Sequence, residues 1–321
     1  MASPNLSELV TTTLRNRSGK LADNVSKNIA LLNRLRDKDN VNTFSGGRTI
    51  VQELEYAENA TYKRYSGGEV LNVSASDVMT AAEYDIKQAA VAVVVNGLEL
   101  LQNSGKEKVI DLLEARIKNA EKTMLNNISA DVYSDGTADG GKQIGGLQSI
   151  VSDAGTGTVG GINSSTYSFW QNTVYDFSNN GVAASATTIQ DAMNTAYLSV
   201  ARNRDVPDLI VADNTYYGYY WKSLQAIQRV TDEKMAAAGF QTLKFLGADV
   251  VFDGGFGGTA PAAHMYFLNT NFLFFRPHRD RNMVPLNPDR FSTNQDAMVK
   301  LLGWAGNVTC SNRALQCAIV A

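Results

Sequence analysis

Two stretches of this 321-residue chain have the spacing of phosphate-binding loops. Gly136 to Lys142 reads G-x-x-x-x-G-K and Gly155 to Gly160 reads G-x-G-x-x-G, both within "GTADGGKQIGGLQSIVSDAGTGTVGGI" at 136–162. In such loops glycine amides wrap the phosphates, a lysine meets the terminal ones and a following Ser or Thr holds magnesium, all at a strand-to-helix junction. Here Gln143 follows Lys142, and an amide is a poor magnesium ligand. Upstream, "ADVYSDG" reads as a helix end and a turn, and Gly145-Gly146 breaks any helix that would aim its dipole at a phosphate. The second match follows an extended piece, "LQSIVSD", but "GINSSTYSFW" after it is no helix, and no acidic residue stands where a ribose would be read. The glycines read instead as places where the chain turns with positive φ, in a loop.

Other reactive residue types are sparse. His264 heads an apolar strand and His278 sits in an arginine-rich turn; neither has a second ligand at a spacing such as H-E-x-x-H. There is no G-x-S-x-G nucleophile elbow. Asp205, Asp208, Asp213, Asp249 and Asp253 fall near strand ends of an α/β segment, where open-sheet enzymes place ligands. Helix capping and turn formation use carboxylates in the same places, and that reading is preferred. Cys310 and Cys317 are the only cysteines, at odd spacing in a strand-like segment, so they are expected on opposite faces as small core or interface residues. Arg276, His278, Arg279, Arg281 and Arg290 form a cluster interleaved with Asp280 and Asp289. Arginine forks bind carboxylates on a protein or phosphates on nucleic acid, and the interleaved acids favour the protein. No catalytic group, cofactor or metal is expected.

Composition sets the frame for these residues. Hydrophobic and charged fractions of 44% and 19% suit a folded globular chain, and a net charge of −3 gives no global basic field. Residues 1–36 nevertheless hold six basic side chains against two acidic ones. No apolar run approaches the ~20 residues of a membrane helix. The opening "MASPNLSELVTTTLRNRSGK" lacks a secretory core. With two cysteines and no such signal, the expectation is a soluble cytosolic polypeptide with no membrane partner.

The elements that must position these groups read in order. Leu6, Leu9, Val10 and Leu14, then Leu21, Val25, Ile29, Leu32 and Leu35, mark two amphipathic helices on an arm with a basic opposite face. They need a surface: their own body, a neighbour or a membrane. Residues 46–73 read as a long hairpin. Ile50, Leu54 and Tyr56 take one side of its first strand, Val51, Glu53 and Glu55 the other, and Tyr62–Tyr65 forms the second extended piece. With so few apolar residues it is either mobile or completed by a partner. "TAAEYDIKQ" passes into "AAVAVVV", a buried strand. Ser104 and Glu107 make a capping box that opens a helix over 105–128, with Val109, Leu112, Leu113, Ile117, Ala120 and Met124 as its buried stripe and Glu114–Lys118 as an exposed pair. A helix from Ile189 to near Arg204, a strand "DLIVAD", a helix from 215 capped by Asn214, and strands "ADVVFD" and "HMYFLNTNFLFF" follow. The chain then turns polar after Arg276 and closes in strand.

Several long stretches in this order resemble the major capsid proteins of tailed bacteriophages of the Hong Kong 97 type. They are "LSELVTTTLRNRSGKLADNVSKNIALL", "GGRTIVQELEYAENATYKRYSGGE", "GLELLQNSGKEKVIDLLEARIKNAEKTM" with "YSDGTADGGKQIGGLQSIV", and "RPHRDRN" through "NQDAMVKLLGWAGNVTCSNRALQ". The resemblance implies an α+β fold with an N-terminal arm at 1–45 and an extended loop at 46–74. It further implies a peripheral domain from 75–185 and 276–321 with a spine helix at 105–128, and an axial α/β domain at 186–275. It implies a structural protein that self-assembles, as pentamers and hexamers, into an icosahedral shell around double-stranded DNA. Scaffold, portal and decoration proteins are the implied partners; with no long scaffolding region ahead of the arm, the scaffold is expected to be separate or already cleaved.

On this reading the contacts between subunits fall on Arg48, Glu53, Glu55, Lys63 and Arg64 in the loop. Leu21, Val25, Ile29 and Leu32 in the arm and Arg276, Arg279 and Arg281 would add to them. The founding member of the family seals its shell by a Lys–Asn bond. Lys63 lies in the loop, but no matching Asn or Glu partner is identified, so cross-linking is not inferred. Two other readings stay in view: a nanocompartment shell that encloses an enzyme in place of DNA, and a nucleotide-using α/β enzyme built on 186–275. The expected location is the virion, with the host cytoplasm before assembly.

Overall fold

A computed structural model describes residues 30–102, 112–224, 242–254, 259–291 and 296–321. Leu21, Val25 and Ile29 of the arm, the capping box Ser104–Glu107 and Val109 lie outside the described residues. In chain order the elements are α1 (Ala30–Asp37), β1 (Thr49–Glu55), β2 (Met79–Asp85), β3 (Lys87–Asn96), α2 (Gly97–Gln102) and α3 (Leu112–Asp131). The glycine-rich stretch holds two one-turn helices, α4 (Ala138–Gly141) and α5 (Leu147–Ile150), and the small hairpin β4 (Thr158–Val159) and β5 (Ile162–Asn163). Then come β6 (Thr173–Asp176), α6 (Ile189–Val200), β7 (Leu209–Ala212), α7 (Asn214–Ser223), β8 (Thr242–Phe245) and β9 (Ala248–Phe252). The chain ends with β10 (His264–Leu268), β11 (Leu273–Pro277), β12 (Val284–Phe291), β13 (Ala297–Cys310) and β14 (Cys317–Val320).

The chain divides into two compact units, one holding 88–128 and 280–305, the other 29–87, 129–279 and 306–321. The segments expected to build a peripheral domain contribute to both, and 186–275 falls wholly in the second. In the first unit β3 and β12 both pair with β13. Val93 and Val95 of β3, Ala120 and Met124 of α3 and Leu302 and Trp304 of β13 are buried. The run Ala89–Val95, expected to be buried throughout, is instead half-buried: Val94 is exposed and burial alternates as in a sheet with one open face. β12 lies in the stretch after Arg276 that the sequence marks only as polar. Pro285 and Pro288 donate no ladder hydrogen bond, which a strand with a single partner tolerates.

The second unit is built on a six-stranded mixed sheet, β6-β14-β10-β7-β9-β8. β7 reads Leu-Ile-Val-Ala with every residue buried, as a central strand covered on both faces does. Its core joins Ile189, Met193 and Ala196 of α6 to Ile210, Val250 and Phe267 of the sheet. α6 stops at Val200, one turn short of the expected end. α7 is capped by Asp213, whose carboxylate accepts from the Tyr216 amide, so the cap lies one residue before the expected Asn214. Cys310 and Cys317 are buried but end and begin different strands, β13 and β14, instead of sharing one.

Candidate functional site

The hairpin begins as the alternation of its first strand predicts: Ile50 and Leu54 are buried, and Val51, Glu53 and Glu55 face out. Its return strand is not Tyr62–Tyr65. β1 pairs antiparallel with β2, Thr49 opposite Asp85 and Glu55 opposite Met79, and Tyr56 N donates to the Val78 carbonyl. Tyr62–Tyr65 belongs to the long connection between the strands. The extended loop is therefore a shaft of two strands with an irregular tip, and its second strand lies beyond 74.

One face of the shaft has its own core, contrary to the expectation that neither would. Ile50, Leu54, Ala82 and Tyr84 are buried in the second unit. The Tyr84 hydroxyl donates to the Cys310 carbonyl at 3.1 Å and accepts from its amide at 3.2 Å. Glu83 N donates to the Gly160 carbonyl at 2.9 Å, and Asn307 Nδ2 to the Asp85 carbonyl at 2.8 Å. Gly160 has φ of +59°, and a Cβ there would meet the Ala82 Cβ at 2.7 Å. The G-x-G-x-x-G spacing thus serves a tight turn that seats β2. The other spacing opens no strand-to-helix junction, since α4 spans four residues. Both stretches border a cleft of about 290 Å³ whose lining includes Glu83, Asp85, Asp135 and Lys87, an acid-rich setting that repels phosphate.

The tip is different. Tyr62, Val70 and Val73 are 77%, 89% and 92% exposed, and Tyr65 and Leu71 are exposed too. Lys63 Nζ lies 2.8 Å from Glu69 Oε2, and the Arg64 guanidinium stands 5.9 Å from the centre of the Tyr62 ring. An isolated exposed apolar residue means little, but five within twelve consecutive residues concentrate exposed apolar surface in one connection.

The remaining predicted contact residues are scattered. Arg48 is exposed ahead of β1. Arg276 is half-buried in β11 and donates to Gln52 Oε1 at 3.0 Å, so it binds its own hairpin; burial lowers its pKa. Arg279 and Arg281 are exposed, one in each unit. His278 packs edge-on against Phe44 at 4.9 Å. Leu32 is half-buried in α1, whereas Ala30, Leu31 and Leu35 are buried, so Leu35 of the predicted stripe turns inward as expected and Leu31 takes the place expected of Leu32.

Residues 30–44 lie on their own body, one of the surfaces left open for the arm. α1 packs on β7 and β11, and Asn40–Phe44 runs parallel to β11, with Asn42 N donating to the Phe275 carbonyl and Phe44 N to that of Pro277. Arg34 Nε reaches Asp208 Oδ2 at 3.1 Å and its Nη1 reaches Asp249 Oδ2 at 3.4 Å, while Lys38 Nζ lies 2.9 Å from Asp208 Oδ2. The strand-end aspartates are thereby accounted for structurally. Asp208 and Asp249 hold α1, Asp213 caps α7, Asp253 accepts from the Tyr133 hydroxyl at 2.6 Å and Asp205 pairs with Arg202.

No family model and no curated protein matches the sequence. Solved structures do match over nearly the whole chain. The cyanophage A-1(L) capsid asymmetric unit aligns with a TM-score of 0.71 at 15% identity, covering 98% of each chain. A chain from Mycobacterium phage Bobi aligns at 0.57 and 14%, again covering 98% of each. The SrpI encapsulin of Synechococcus elongatus aligns at 0.60 and 8%, covering 98% of this chain and 95% of that one. The chain therefore has the α+β fold of phage capsid proteins, which its sequence resemblance implied and which encapsulin shares.

Proposed function

We propose that this chain is the major capsid protein of a bacteriophage. Copies assemble through pentamers and hexamers into an icosahedral shell around double-stranded DNA, and the chain performs no catalysis. The observation that carries the reading is the hairpin tip, a cluster of exposed apolar side chains on a two-stranded shaft, which gains a cover only when another molecule supplies it. The fold shared with the cyanophage capsid over 98% of the chain supports it. In this reading 1–45 is the arm, 46–74 the body of the extended loop, and 186–275 the axial domain. Arg48, Glu53, Glu55, Lys63, Arg64, Arg279 and Arg281 are the groups offered to neighbours, while Arg276 braces the loop from inside. Scaffold, portal and decoration proteins and packaged DNA are the further partners, and the mature location is the virion.

The likeness to an encapsulin favours one alternative, a nanocompartment shell around a protein cargo. Negative-stain images of the purified full chain over a range of concentrations test the shared part. Rings of five or six copies or closed shells are expected; a monomer at every concentration overturns it. Nuclease-protected double-stranded DNA in native particles separates phage from nanocompartment, for which a co-purifying protein replaces the DNA.

A further inference from the structure

The carbonyl end of α3 collects carboxyl groups and no cation. Asp131 is the last residue of this 20-residue helix, where the helix dipole disfavours a negative charge, and the last turn holds no basic residue. Its Oδ1 accepts from Gln143 Nε2 at 2.7 Å, and Asp139 is the other charge acting on it. Two residues on, the buried Tyr133 donates to Asp253 Oδ2 at 2.6 Å across 120 positions of sequence. Asp253 follows β9 and is only 5% exposed. Its amide donates to the Ala212 carbonyl and its carbonyl accepts from Ala260, so the carboxyl is held in place.

The surroundings offer this pair phenols and a backbone amide, from Tyr133, Tyr266 and Thr259. His264 on β10 packs 5.8 Å from the Tyr266 ring and turns its Nε2 toward Asp153 Oδ1 at 3.0 Å. Lys87 donates to the Gly141 carbonyl at 2.7 Å and lies 3.7 Å from Asp85. Among the described residues no base therefore pairs with Asp131 or Asp253. All of these groups belong to the second unit. Burying a carboxylate without a countercharge is costly, whereas the protonated acid still hydrogen-bonds to the same neighbours. Burial accordingly pushes the Asp253 carboxyl up against the hydrogen bonds from Tyr133 and the Thr259 amide, and the Asp131 carboxyl up against that from Gln143.

We propose that this end of α3 is a proton-operated clamp on the six-stranded sheet. Protonated Asp131 and Asp253 hold the turn Asp131–Tyr133 closed, and in their ionised forms they let it open to water. Each folded value lies above the unfolded one of about 3.9, so the stability from protonation is fully present below that pH. It is lost as pH rises through the folded value. The clamp belongs to the single chain and does not rest on the shell reading.

Hydrogen exchange in the full chain reads the clamp at the amides of Tyr133, Ser134 and Leu147, which donate to Ala130, Asp131 and Val132. Variants are compared with wild type at one pH at a time, so intrinsic rates cancel. Asp253→Asn keeps an acceptor for Thr259 and a donor for Tyr133 without the charge. It is expected to slow these amides roughly fivefold at pH ~7 and to change them less than about twofold at pH ~4. Asp131→Asn is expected to act in the same sense. Tyr133→Phe removes the donor to the carboxylate and is expected to speed exchange more at pH ~7 than at pH ~4. No slowing by Asp253→Asn at the higher pH, or an equal effect at both, overturns the clamp. Should that variant not fold, Asp131→Asn decides by the same comparison. Loss of the fold in both overturns it, because the clamp requires a neutral group to be accepted at each position.

Discussion

Asp208 shows how a strand-end carboxylate can be taken up by structure and leave nothing for chemistry. Its Oδ1 accepts from the Thr270 amide at 2.7 Å, and its Oδ2 meets the Thr270 hydroxyl, Arg34 and Lys38. Burial alone would raise its pKa, but the Thr270 and Lys38 hydrogen bonds outweigh burial and hold it below the ordinary carboxylate value. A carboxylate whose ionised form the fold prefers stabilises the protein above its unfolded pKa of about 3.9. That contribution is lost as pH falls through the lower folded value. Asp208→Asn should therefore cost about 2 kcal/mol at pH 7, the scale of hydrogen bonds to a charged group, and far less in acid below the folded value. Urea midpoints of the two proteins at both pH values check this. An equal gap at both would mean that the ionised form is not what holds α1.

At the scale of elements, Gly160 ties the glycine-rich loop to the shaft, and it can be separated from a merely turn-forming neighbour. Gly161 has a similar positive φ of +76° but open space where a Cβ would stand, whereas a Cβ on Gly160 would strike Ala82. Gly161→Ala should cost roughly 1–2 kcal/mol for the left-handed backbone alone. Gly160→Ala should cost about 1 kcal/mol or more beyond that, because β2 must shift. Equal denaturant midpoints for the two variants would show that β2 does not bear on this turn. The same elements show what the sequence made legible. Ile50 and Leu54 against Glu53 and Glu55 alternate, and β1 follows directly. The return strand hides because its inward residues, Thr80, Ala82 and Tyr84, include two small or polar ones, while Tyr62–Tyr65 looks strand-like and has no strand opposite it. Arg313 was invisible for another reason. Its fully buried guanidinium donates to the Ile150 and Trp170 carbonyls and to Asn172 Oδ1, partners 141 to 163 residues away that no local pattern announces. Of the candidate contact residues, Glu53 and Glu55 were predictable as outward-facing. The commitment of Arg276 to Gln52 depends on a long-range pairing and was not.

At the scale of the whole molecule, the proposed shell reading assigns folding and assembly to different parts of one hairpin. The shaft is held by Ile50, Leu54, Ala82 and Tyr84 and by the Tyr84–Cys310 hydrogen bonds, all within a single chain. The tip contributes little to that core and leaves five large apolar side chains in water. Covering a side chain of this size fully is worth about 1.5–3 kcal/mol. On that reading, partial cover of several per copy, less the cost of association, leaves a modest gain at each contact that a closed shell would multiply. Replacing residues 58–76 by Asn-Gly, a turn suited to joining antiparallel strands, separates the two roles. Tyr56 and Val78 still pair, so the shaft closes and the core is untouched. The shortened chain should melt within a few degrees of the wild type, stay monomeric by sedimentation and form no shells at concentrations where the wild type does. Shells of wild-type size from this variant would show that the tip is dispensable and that assembly rests on other surfaces. A collapse in melting temperature would instead place the tip in the fold itself.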